Sequence, residues 1–237
     1  MNISINRNQL KYLAIIAMVI DHIGWTFVSI ASIQGQAMHF FGRLTGPIMA
    51  FMLYEGYLHT KDIKKYVLRL GIFALISWPA YSFYETRNFF ALQFGVIYTL
   101  FLALLTLWMW DKANIKKWLK IVLVVVACLL SLFGDWPIFD ILWPLFLFIY
   151  KDDPKKQWTS FAIVTAVEVI LVNLTSFTSA IPYRQVFQIG AFMVIPILAC
   201  WYNGKPGKKN AFNKWFFYVF YPVHLLILAL IVTLINK

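Results

Sequence analysis

Asp21 and His22 stand side by side inside an apolar stretch that runs from Leu10 to Ile33. A carboxylate and an imidazole are costly to place in hydrocarbon, so such groups face a bundle interior and serve a pathway or a reaction. An imidazole beside a carboxylate has raised basicity and an oriented tautomer, as a general base requires. Four further polar residues sit in similar surroundings: Arg43, Glu55, Glu168 and His224, the last just after Tyr221-Pro222. Arg43 can pair with Asp21 or with Glu168, neutralising a buried charge. Glu55 can cap a helix end or pair with a nearby lysine, and His224 can serve as a hydrogen-bonded core histidine. His39 and His59 fall at the ends of apolar runs and are minor candidates. Adjacent helical residues point about 100° apart, so Asp21 and His22 need not touch. Each can find its own partner across the bundle, with His224 and Arg43 the candidates.

The elements that must hold these groups are helices in a membrane. Of 237 residues, 61% are hydrophobic and only 13% charged, against about 25% charged in a soluble domain. Apolar runs fall at roughly 10–33, 38–58, 66–84, 88–110, 117–134, 137–150, 158–177, 185–202 and 214–235. They predict an all-α, polytopic transmembrane bundle of about nine helices in a single domain, 1–237. The sixth run, with Pro137, Asp140 and Pro144, reads as a short or broken helix buried in protein. Tryptophans cluster near the run ends, as an interfacial belt would.

The net charge of +11 raises nucleic acid as a partner, but the basic residues collect between alternate apolar runs. With the N-terminus in the cytoplasm, 17 of the 21 Lys and Arg residues fall on the inner side and three, Arg87, Arg184 and Lys237, outside. That bias sets orientation, with membrane lipids and no nucleic acid as expected partners. Cys128 and Cys200 lie in apolar runs and read as packing residues. His22, His224, Asp21 and Glu168 lack metal-ligand spacing, so no metal is expected. No G-x-S-x-G elbow or phosphate-binding glycine loop is present.

Read in order, several residues resemble the TraX family of bacterial integral membrane proteins. They are Asp21-His22-x-Gly24; Gly42-Arg43-x-x-x-Pro47 on through Ala50-Phe51 to Glu55-Gly56; Thr60, Tyr66 and Arg69-Leu70; Asn88; Gly134-Asp135; and Tyr221-Pro222-x-His224-Leu225. The stretch from Gly42 to Leu70 is the specific part. Thr45-Gly46 before Pro47 departs from the small-plus-aromatic pair expected there. The resemblance implies an acyltransferase, since the family's named member is linked to N-terminal acetylation of F-type pilin. Acetyl-CoA is then the implied acyl donor, and a protein N-terminus or a cell-envelope glycan the acceptor.

Acyl transfer from a thioester needs a base, donors for the oxyanion and a grip on the carrier. On this reading His22 is the base, with Asp21 orienting it or a neighbouring histidine, and Arg43 and His224 are oxyanion donors. The carrier phosphates meet Arg69, Lys61, Lys64 and Lys65 near Glu55, Gly56 and Thr60. Intramembrane Asp, His, Glu and Arg also describe a proton-coupled transporter, although no matched broken helices mark inverted repeats. A non-catalytic assembly factor for a surface complex is the third reading.

Overall fold

The computed structural model describes residues 4–176, 185–208 and 210–235. Among them the fold is helical apart from two isolated bridges, Ile5 with Tyr202 and Phe94 with Gly134. The helices are α1 (Arg7–Phe27), α2 (Ile33–Gly42), α3 (Thr45–His59), α4 (Ile63–Thr86), α5 (Val96–Lys112), α6 (Lys117–Ser131), α7 (Phe139–Ile149), α8 (Pro154–Ser176) and α10 (Ala211–Ile235). Between the last two lies α9 (Val186–Trp201), which starts as a 3₁₀ helix, makes one α-turn and ends as a π-helix. Arg184, Lys209 and Lys237 of the charge count lie outside the described residues.

Four helices are long and apolar enough to cross a membrane: Arg7–Phe27, Ile63–Thr86, Pro154–Thr175 and Trp215–Ile235. They turn large apolar side chains outward, among them Leu68, Leu75, Ile163, Ile170 and Leu230. Exposed aliphatics on every long helix suit lipid, not water, so this is a membrane protein. The other helices are shorter than the roughly 20 residues a straight crossing takes.

The first two apolar runs divide differently from the sequence expectation. The run 10–33 stops being helical at Phe27, so Asp21 and His22 occupy the last turns of α1 and not its middle. The chain then folds back so tightly that a Cβ on Gly35 would clash with the Ser29 carbonyl oxygen. The run 38–58 is broken at Arg43, which caps α2 instead of lying inside a longer helix. Pro47 explains the break, because it has no N–H to donate to the Arg43 carbonyl. The run 88–110 is helical only from Val96, with Gly95 as N-cap. A Cβ at Gly95 would clash with the Tyr221 hydroxyl, which accepts the Val96 N–H at 3.1 Å.

The chain divides into two compact units. One comprises the chain up to Met49 with Trp158–Phe217, and the other Ala50–Gln157 with Tyr218–Lys237. In the first, α1 packs along α2, and α2 packs on the 3₁₀ part of α9. Its entry is fixed by Asn6, which caps α1 by accepting from the Asn8 and Gln9 amides while the Gln9 side chain returns to the Asn6 amide, a capping box. In the second, α5 packs on α4, α6 and α7, burying Ile97, Leu104, Leu107, Ile141, Trp143 and Leu147.

Candidate functional site

The first unit holds a buried charged cluster. Asp21 Oδ1 accepts from His39 Nδ1 at 2.8 Å, and Oδ2 accepts from Arg43 Nη2 at 2.5 Å. Glu168, on α8, is 3% exposed and within the electrostatic reach of Arg43. The sequence left Arg43 to pair with Asp21 or Glu168; its ion pair is with Asp21. His39 is fully buried, with Trp25 and Phe187 ring centroids 4.3 and 5.0 Å from its own. Phe187 also lies 5.2 Å from the Arg43 guanidinium carbon, so one ring of α9 covers both partners of Asp21.

Two glycines set this geometry. A Cβ on Gly42 would strike Asp21 Oδ1, and one on Gly24 would meet His39 Cε1 at 3.0 Å and Nε2 at 3.4 Å. The antiparallel helices therefore approach reciprocally, with each polar group opposite the glycine of the other helix. Nδ1 donates to an ionised carboxylate that can only accept, leaving Nε2 as the basic nitrogen. His39 Nε2 is buried and has no hydrogen-bond partner among the described residues, and the same holds for Glu168 Oε2. A carboxylate–imidazole pair with the second nitrogen unengaged can take a proton from an incoming nucleophile and return it to a leaving group.

The residues expected from sequence fall in both units. Asp21, Arg43 and His22 lie in the first; His22 is buried and electrostatically close to Asp21. The imidazole that Asp21 bonds is His39, which the sequence offered only as a minor candidate. His224 lies in the second unit, its Nδ1 3.0 Å from the Phe220 carbonyl oxygen.

Glu55, Gly56, Thr60, Lys61, Lys64, Lys65 and Arg69 also lie in the second unit. Arg69 Nε donates to the Tyr218 hydroxyl at 3.3 Å, with the guanidinium 5.2 and 5.9 Å from the Tyr66 and Tyr218 ring centres. A Cβ on Gly56 would meet the Tyr66 hydroxyl at 2.9 Å, so Gly56, Tyr66 and Arg69 form one contact series. Glu55 is buried, and its carbonyl oxygen lies 2.8 Å from His59 Nδ1. Lys61, Lys64 and Lys65 are exposed, and Lys65 pairs with Asp62 at 3.2 Å. Asp62 caps α4, and the Lys65 amide holds its carboxyl below the usual carboxylate range. Thr60 donates to the Asp62 carbonyl at 3.3 Å. Among the described residues, no three His, Cys, Asp or Glu side chains gather as a metal site.

The family described as TraX protein matches residues 6–232. The chain belongs to the TraX family. The matched span of this TraX-family chain takes in both members of the Asp21–His39 pair and both facing glycines. Among curated proteins it is 33% identical, over 96% of each chain, to a "Probable fimbrial assembly protein FimC, serogroup H1" of Dichelobacter nodosus. No solved structure matches it.

Proposed function

We propose that this TraX-family protein is a multi-pass acyltransferase of the cytoplasmic membrane that moves an acetyl group from acetyl-CoA to an amine or hydroxyl. The acceptor, a protein N-terminus or an envelope glycan, belongs to a fimbria-like surface structure. The observation carrying this reading is the buried Asp21–His39 pair, with His39 Nε2 unengaged. Nε2 accepts the acceptor's proton as its nitrogen or oxygen attacks the thioester carbonyl. The carbon–sulfur bond breaks, and the proton passes to the departing thiolate. Asp21 stabilises the imidazolium between these steps, and Arg43 supplies positive charge beside the developing oxyanion. The distribution of basic residues supports a cytoplasmic N-terminus.

Membrane vesicles carrying the full chain and acetyl-CoA radiolabelled in its acetyl group test this. Label should pass to envelope macromolecules, and His39→Gln should slow transfer at least about 100-fold, the usual worth of a positioned base. Equal labelling by wild type and His39→Gln at equal folded protein rejects the assignment.

The relative's name, a fimbrial assembly protein, favours a second reading as a non-catalytic assembly factor. It predicts no label transfer, and surface assembly that survives His39→Gln.

A further inference from the structure

At the opposite end of α1 from Asp21, the first unit has a shallow surface cleft lined by Asn8, Lys11, Tyr12, Ile15, Phe216 and Phe217. Its wall joins a cation and an amide to three aromatic rings, the lining of a site for an anionic head joined to a flat or apolar body. The loop beside it is tied to the helix that carries these residues. Ile5 bridges Tyr202, the Arg7 amide donates to the Lys205 carbonyl at 2.8 Å, and Asn8 Nδ2 donates to the Lys208 carbonyl at 2.8 Å. Gly204 and Gly207 turn this loop with φ of 71° and 73°. A Cβ on Gly207 would sit 2.7 Å from Asn6 Oδ1.

Lys205 and Lys208 thereby join Arg7 and Lys11 at one end of the unit. None of the described stretches at this end, 4–20, 196–208 and 210–217, contains an aspartate or a glutamate. The unit's two acidic residues, Asp21 and Glu168, are both in the buried cluster. Four basic side chains therefore gather at this end of the unit.

We propose that this cleft binds the phosphate of an amphipathic phosphorylated carrier, with Lys11 and Asn8 on the phosphate and Tyr12, Phe216 and Phe217 against the body. The carrier's tail runs along one face of α1. Positions 8, 15 and 22 are seven apart and share that face, so Asn8, Ile15 and His22 lie in line. Lys11 stands about 16 Å from His22 at 1.5 Å per residue. Met18 lies between, and its flexible thioether is suited to giving way to a thin chain. As the donor end of acyl transfer the site rests on the function proposed above; as a phosphate site it does not. The phosphate can come from a coenzyme A thioester or from a phospholipid headgroup.

Calorimetry on the full chain in detergent separates the two sources, with acetyl-CoA titrated in one arm and a short-chain phosphatidylglycerol in the other. Losing a charge-assisted contact to phosphate weakens binding about tenfold or more. Lys11→Gln should show that loss, Lys11→Arg should restore binding, and exposed Lys117→Gln should bind as wild type. Lys11-dependent binding of acetyl-CoA supports the site as the donor end. Lys11-dependent binding of the lipid alone supports the phosphate site and removes its donor role, leaving acyl transfer to the His39→Gln labelling experiment. Binding of neither ligand overturns the proposal, as does binding unchanged in Lys11→Gln or lost instead in Arg69→Gln. Lys11-dependent acetyl-CoA binding together with unimpaired transfer by His39→Gln keeps the site and rejects the catalytic assignment.

Discussion

Replacing Asp21 by asparagine changes almost no volume but removes the charge that holds two donors. In the native cluster Oδ1 serves His39 and Oδ2 serves Arg43. Asparagine keeps an acceptor for one and turns an amide N–H₂ toward the other. The Arg43 side chain is 11% exposed, so its guanidinium has little water to fall back on. Breaking a buried pair by removing one partner costs about 3–5 kcal/mol. At about 2–4 °C per kcal/mol for a chain of this size, Asp21→Asn should lower the thermal midpoint by about 6–20 °C. Tryptophan fluorescence in detergent reads this directly, because Trp25 lies 4.3 Å from His39. Arg43→Met alone should cost a similar amount, since it strands Asp21 and withdraws the positive charge near Glu168. The double variant discards both charges of the pair while the introduced asparagine still accepts from His39. It should therefore be markedly less destabilised than the two single losses combined. Additivity within about 0.5 kcal/mol, or a single variant that melts with wild type, would refute the claim that Asp21 and Arg43 stabilise each other.

Gly24→Ala places a methyl 3.0 Å from His39 Cε1 and 3.4 Å from Nε2. Transfer activity should fall more than the thermal midpoint, as parallel labelling and melting assays would show. Tyr221→Phe removes the acceptor of the buried Val96 N–H at the start of α5. It should cost about 1–3 kcal/mol, seen as a lower denaturation midpoint, and an unchanged midpoint would mean that another acceptor serves that amide. Asp62 and Asp153 are partly exposed, and the Lys65 and Lys156 amides respectively lower their carboxyl pKa values. A depressed folded pKa means that the contribution is present above the ordinary carboxylate range and is lost as pH falls through the folded value. Asp62→Asn with Asp153→Asn keeps side chains that can cap, and should flatten the loss of thermal stability below about pH 4.

Much of this was legible from spacing, and the missing part has a definite cause. Asp21, Arg43 and Glu168 announced themselves as charges in apolar runs, and they are the charged members of the buried cluster. His39 did not, because the run 38–58 reads as one helix with residue 39 at its end. Pro47 breaks that run, α2 becomes a short arm folded back on α1, and a position that looked terminal becomes fully buried. A signal was present: Asp21-x-x-Gly24 and His39-x-x-Gly42 have the same spacing in the two arms of a helical hairpin. Antiparallel packing sets each glycine against the other arm's polar group, but only when 33–42 is recognised as a helix of its own. The adjacency of Asp21 and His22 drew attention instead, although neighbours on a helix diverge. Phe187 over His39 and Arg43 was out of reach, because it depends on how α9 meets α2, which no local pattern encodes.

The buried cluster also has a history within each molecule's synthesis. Asp21, His39 and Arg43 all lie on the first 43 residues, so the α1–α2 hairpin can enter the bilayer with its carboxylate and guanidinium already paired. Glu168 follows 125 residues later and Phe187 after that. At about 5–20 residues per second the wait is about 6–25 s. During that interval the imidazole stands without the ring that later covers it.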